Sequence, residues 1–275
     1  MTCKGYPWST DARRRRALCD GRIPRAQGDV EPCDRGVDDE AEVLLPHARG
    51  GLAALREGAD EVLPHRADLR RRGGQLQQLG AGIDIHLHEP GELGLFTARK
   101  IIERTRALDY RGRVTIAHAF FLGEIGEGVR SALLDELAQL DIALTTVAPG
   151  GRGELPMLEI LDHGIRLGLG QDGQRDYWSP YGNTDMLDRA WQLAFTNNLR
   201  RDADIESVLE TATVGGARVM DAAAFSRASR GFAVGDPADY VLVPGETPTS
   251  AVMDRPGGRI VVHDGCVVAV DGALR

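Results

Sequence analysis

From residue 81 onward the apolar and polar positions fall into two alternating periods. Ile83–His86 is a short apolar run. It is followed by a helical stretch carrying Phe96, Ile101 and Leu108 among its apolar positions. Arg113–His118 (RVTIAH) and Ile142–Val147 (IALTTV) read as strands around an amphipathic helix over Val129–Leu140. Leu155–His163 returns to helical spacing, Ile165–Gly170 (IRLGLG) is a fourth strand, and Met186–Asn197 and Ile205–Thr213 are two more helices. Strands alternating with helices at such intervals imply βα units around a parallel sheet. Four strands make half of a (β/α)8 barrel or a small open sheet.

The tail has another pattern. Tyr240–Pro244 (YVLVP), Arg259–His263 (RIVVH) and Cys266–Val270 (CVVAV) are β-rich, and Asp264-Gly265 between the last two is a hairpin signal. Before residue 81 patterning is poor. Arg13–Arg16 and Arg70–Arg72 are basic runs, and only Gly50–Val62 (GGLAALREGADEV) reads as a short amphipathic helix. The sequence therefore divides into three parts. Residues 1–80 are an irregular region, an aberrant or remnant barrel half. Residues 81–225 are the C-terminal half of a barrel, and 226–275 are β-strands packed beside it.

Composition narrows the function classes. The formal net charge of -8 argues against a general nucleic-acid binder. No apolar run is long enough for a membrane span. Cys3, Cys19, Cys33 and Cys266 form no CxxC pair, which suits a reduced, cytoplasmic protein.

In parallel βα architectures reactive groups gather at the C-terminal ends of strands. Three strand ends here carry suitable residues: His86-Leu87-His88-Glu89, His118 closing RVTIAH, and Asp172 in Gly170-Gln171-Asp172-Gly173. Imidazole nitrogen and carboxylate oxygen are good ligands for Zn2+ or Fe2+. A nearby Glu that is not a ligand can move protons. Each residue also has a plainer reading. A lone strand-end His is commonly packed or superficial, and an Asp between glycines is commonly a turn residue. His163 reads as a helix C-terminal residue, and His47, His65 and His263 as surface positions. The three strand ends gain weight only together.

The segment IDIHLHE resembles the fifth-strand motif of cytosine deaminases and related amidohydrolases, in which H-x-x-E supplies a metal-binding His and a catalytic Glu. The resemblance places those roles on His86 and Glu89. It makes His118, 32 positions after His86, the sixth-strand His that polarises the attacking water or substrate, and Asp172 the eighth-strand Asp that binds metal and accepts a proton. Asp176-Tyr177-Trp178-Ser179-Pro180-Tyr181-Gly182 and the following Met186-Leu187 resemble the family's D-x-W-x-P-x-G-x-x-x-M-L segment, which implies a base-binding role for Trp178. The tail GFAVGDPADYVLV resembles the closing run of amidohydrolases generally. The resemblance thus implies an α/β fold, a partial (β/α)8 TIM-type barrel with a small β appendage. It implies one divalent metal ion, Zn2+ or Fe2+, and a small N-heterocycle as substrate. It also implies no nucleic-acid or membrane partner, with the open sheet edge of half a barrel favouring a homo-oligomer.

A rival alignment sets GIDIHLHEPGE against the first-strand motif of dihydroorotases and hydantoinases, with His86 and His88 both ligands. Only about 190 residues follow His86, fewer than the roughly 250 typical of a whole barrel. The sole lysine beyond His86, Lys100, lies in a helix and cannot bridge two metals. On the preferred alignment the first-strand H-x-H is missing, because residues 1–80 hold only His47 and His65. The expected chemistry is hydrolysis of a C–N bond, deaminating cytosine or a related ring, with low activity for want of ligands. The alternatives are a cyclic amide hydrolase of the dihydroorotase type and a non-catalytic, degenerate amidohydrolase.

Overall fold

The computed structural model describes residues 53–54, 81–150, 153–177, 180–220, 234 and 236–275. Five parallel strands lie side by side in chain order: β1 (Ala53–Ala54), β2 (Ile83–Leu87), β3 (Val114–His118), β4 (Ala143–Thr146) and β5.

 
The last of these, β5, spans Leu167–Leu169. Four of the five fall where alternation predicts strands. The fifth is a correction: Ala53 and Ala54, inside the segment read as a helix, pair in parallel with Ile83 and Asp84. A short apolar run has no periodicity that separates a helix from a buried strand, and an adjacent strand with open ladder groups decides it. The rest of that segment, the Arg runs, His47 and His65 lie outside the described residues.

The connections are helical. Helix α1 (Gly91–Ala107) joins β2 to β3. A 3-10 turn (Phe120–Gly123) and α2 (Glu127–Gln139) lead to β4, and α3 (Met157–Asp162) leads to β5. Beyond β5 come α4 (Met186–Thr196), α5 (Asp202–Glu210), a π-helical turn (Thr211–Gly215) and α6 (Gly216–Met220). The fold is α/β, a partial (β/α)8-type barrel. Its core joins Leu87, Ile116, Leu144 and Leu167 of the strands to Ile102 of α1, Leu134 and Leu137 of α2, and Ile160 of α3. Burying each such side chain contributes about 1.5–3 kcal/mol. Phe96 is different: it lies on the outer side of α1, 57% exposed. His163 is the C-cap of α3, with its Nδ1 3.0 Å from Asp135.

A second sheet is antiparallel: β6 (Tyr240–Leu242), β7 (Ile260–His263), β8 (Cys266–Val270) and β9 (Ala273–Leu274). Asp264 and Gly265 have φ of 47° and 78°, the left-handed pair that a two-residue hairpin needs. Helix α7 (Pro248–Asp254), absent from the sequence reading, begins with a reciprocal Thr247–Ser250 capping box and buries Val252. Arg259 binds Asp185 at 2.7 Å, and Arg255 lies 4.6 Å from the centre of the Trp191 ring, so this part of the chain is fastened to α4. Among the described residues no helix is long and apolar enough to cross a membrane.

Candidate active site at the strand ends

Strands β3, β4 and β5 each run out into left-handed backbone. His118 and Ala119 have φ of 74° and 48°, Ala148 has 47° and Asp172 has 59°. Non-glycine residues pay about 1–2 kcal/mol for this conformation, and such strain gathers at functional sites. At His118 it has a direct geometric effect. The register sets Leu87 beside His118 and His86 beside Ala117. Strict alternation would therefore send the His118 ring to the same side as Leu87, away from His86. The left-handed turn redirects it, and the two imidazoles meet edge to face with centroids 4.3 Å apart. Alternation alone could not have paired them.

His118 is buried, 7% exposed, and its Nε2 lies 3.8 Å from Asp172 Oδ2. It is thus the common neighbour of His86 on β2 and Asp172 beyond β5. His88 stands 5.0 Å from His86 and 6.4 Å from His118, ring centre to ring centre, and is exposed. Glu89 begins the turn from β2 into α1. Its Oε2 is buried and has no hydrogen-bond partner among the described residues. The close approach of α1 fixes this turn: a Cβ on Gly94 would strike the Glu89 carbonyl oxygen and the Phe121 side chain. Of the sequence-identified residues, His86, His118 and Asp172 come together and Glu89 follows on the same strand end. Trp178 lies outside the described residues.

Three neighbours carry no sequence signal. Asp84 shares a strand face with His86, by the two-residue period of a strand. Burial raises its carboxyl above the ordinary range, and the nearby His86 pulls the other way. Arg189 on α4 reaches back to the strand ends. Its Nη1 donates to the Val147 carbonyl at 2.9 Å and its Nη2 to Gln171 Oε1 at 3.1 Å. Burial lowers its guanidinium below the usual range, while the Asp188 and Asp172 carboxylates oppose that. An arginine early in an amphipathic helix reads as solvent-facing, so neither Arg189 nor its partner Gln171 could be singled out.

Two imidazoles and a carboxylate have the donor chemistry of a divalent metal site. Among the described residues, however, no three His, Cys, Asp or Glu side chains are arranged so that they could hold an ion. The chemistry fits and the donor set is incomplete.

The profile described as "Amidohydrolase family" matches residues 50–269. The N-isopropylammelide isopropyl amidohydrolase of Pseudomonas sp. strain ADP is 30% identical over 198 residues, covering 68% of this chain and 47% of that protein. The crystal structure of N-isopropylammelide isopropylaminohydrolase from Burkholderia multivorans is similar with a TM-score of 0.68 and 42% identity, over 74% of this chain and 50% of that one. That of 5-methylcytosine deaminase from Klebsiella pneumoniae, liganded with 5-fluorocytosine, shares the fold at a TM-score of 0.63 and 19% identity, over 76% and 53% of the two chains. The chain spans about half the length of these proteins.

Proposed function

The chain belongs to the amidohydrolase family, and on that premise we propose that it is a metal-dependent hydrolase of C–N bonds that deaminates cytosine or a related amino-substituted N-heterocycle. The observation that carries this reading is the convergence of His86, His118 and Asp172 at the C-terminal ends of parallel strands. Residues 81–225 serve as the C-terminal half of the barrel, extended on one edge by the Ala53–Ala54 strand, and 226–275 as its β appendage. The substrate is a small molecule in the cytoplasm, and the open sheet edge favours a homo-oligomer.

Water adds to the amino-bearing carbon, a C–O bond forms, the C–N bond breaks and ammonia leaves. Asp172, half exposed beside the mouth of the site, takes the proton of the attacking water. Glu89 delivers a proton to the ring nitrogen, and its buried Oε2 has no competing partner among the described residues. His118 holds its buried imidazole against the charge that develops on oxygen, where exclusion of water strengthens the interaction. Trp178 contacts the base. His86 and Asp172 would hold one Zn2+ or Fe2+ ion, which when bound supplies Lewis acidity.

The test is release of ammonia from cytosine and isocytosine, and of amine from an N-alkylated aminotriazine, by purified protein with added Zn2+ or Fe2+. With two ligand histidines missing, turnover is expected below the ordinary range of about 1–1000 per second. Glu89→Gln should abolish it. Turnover in the ordinary range would overturn the incomplete donor set. Turnover unchanged by both Glu89→Gln and Asp172→Ala would overturn the assignment of the site.

A further inference from the structure

Among the described residues the Asp172 carboxylate accepts no hydrogen bond, and its Oδ2 lies 3.8 Å from His118 Nε2. Its side chain is about half exposed and its backbone left-handed. Beside the electrostatic attraction of Arg189, what fixes this carboxylate acts through the chain on either side. The preceding residue, Gln171, is held at both ends of its amide. Oε1 accepts from Arg189 Nη2 at 3.1 Å, and Nε2 approaches Met186 Sδ at 3.5 Å. Gly170, one residue earlier, is tied to β4 by its N–H donating to the Thr146 carbonyl at 2.9 Å.

Arg189 does more than hold Gln171. Its other terminal nitrogen donates to the Val147 carbonyl, just past the end of β4, and to Gln192 Oε1 at 3.1 Å. One planar guanidinium thus spans two neighbouring strand ends. A lysine cannot do this, because a single ammonium lacks the rigid fork. The guanidinium is half-buried, so these links are made in a partly desolvated setting where hydrogen bonds from a charged donor are stronger than in water. Solvating a free arginine in place of them would release the 170–173 turn.

We infer that Arg189 is a positioning residue: acting through Gln171, it holds Asp172 in the left-handed conformation that brings its carboxylate beside His118. The inference rests on the site reading above for its consequence, but not for its geometry.

The experiment compares Arg189→Met, Arg189→Lys, Gln171→Leu and Asp172→Ala. Crystal structures of the first three give a readout that needs no metal. In Arg189→Met and Gln171→Leu the Asp172 carboxylate should lie more than about 5 Å from His118 Nε2, against 3.8 Å in the parent. Gln171→Leu changes no residue of α4 and leaves the Arg189 bond to Val147 in place, so it remains informative if Arg189→Met fails to fold. Zn2+ affinity gives the second readout. Arg189→Met and Gln171→Leu should each weaken it about tenfold and together no more than either alone, because they break one link. Arg189→Lys should recover less than half of the loss. An Asp172 that stays beside His118 in both Arg189→Met and Gln171→Leu would overturn the inference. If instead Asp172 moves as expected but Asp172→Ala leaves Zn2+ affinity unchanged, the clamp stands and the metal role of Asp172 falls.

Discussion

Replacing Gly94 by Ala sets two known effects against each other. Gly94 lies in the first turns of α1, where helix propensity alone favours alanine by about 1 kcal/mol. The added methyl group has nowhere to go. It would meet the Glu89 carbonyl oxygen on one side, and the Phe121 Cβ and Cγ at 2.6 and 2.7 Å on the other. Neither neighbour is the yielding tip of a flexible side chain: one is backbone, and Phe121 is 1% exposed. Overpacking of this kind costs typically 1–3 kcal/mol, and contact on two fixed sides puts this case at the upper end. The net loss should be about 1–2 kcal/mol. For a unit of this size that lowers Tm by roughly 3–6 °C. Urea unfolding followed by far-UV circular dichroism should show the midpoint falling with an unchanged slope. α1 must also back away from the turn that carries Glu89, so activity should fall further than stability explains at a temperature where the variant is fully folded. A Tm equal to or above that of the parent would refute the reasoning, since it would mean that propensity outweighs the clash.

Leu134→Ala empties a fully buried position of α2 and should cost about 2–5 kcal/mol in the same unfolding assay. Arg130→Met removes an ion pair to Glu159 at 2.7 Å and a link to the Ile125 carbonyl at 3.3 Å. It should destabilise by about 1.5–3 kcal/mol, with the loss measured as a lower urea midpoint. Asp185→Ala removes the N-cap of α4, which accepts from the Leu187 N–H, and should cost about 1 kcal/mol or more at pH 7. Burial opposes ionisation of Asp185, but the Arg259 hydrogen bond and the Leu187 N–H outweigh it and hold the carboxyl below its usual range. A depressed carboxyl stabilises the fold fully above its unfolded value of about 3.9 and loses that contribution as pH falls through the folded value. The stability gap between parent and Asp185→Ala should therefore narrow below about pH 4, as followed by thermal unfolding across pH.

Four strands of the main sheet were legible because each is an apolar run bounded by glycine or polar residues, and the hairpin because Asp264-Gly265 has one favoured geometry. β1 was not legible, since two alanines carry no period and only their pairing with Ile83 and Asp84 makes them a strand. α7 was missed because its start depends on a Thr247–Ser250 cap rather than on an apolar stripe. At the site, residue types at strand ends pointed to His86, His118 and Asp172. The backbone turn that swings His118 toward His86 leaves no trace in composition or spacing. Nor does Arg189, whose role lies in reaching strand ends 18 and 42 positions earlier in the chain.

The bond between Arg259 and Asp185 spans 74 positions, and this has a consequence for how the molecule is made. A ribosome delivers the chain from the N-terminus, and Asp185 emerges well before its partner. Until Arg259 arrives, the helix that carries Arg189 has its cap but not the counter-charge that secures it. Nascent chains stalled before Arg259 should therefore hold α4 less firmly than the released protein does, so that the strand-end cluster settles late in synthesis, after the sheet beneath it has formed.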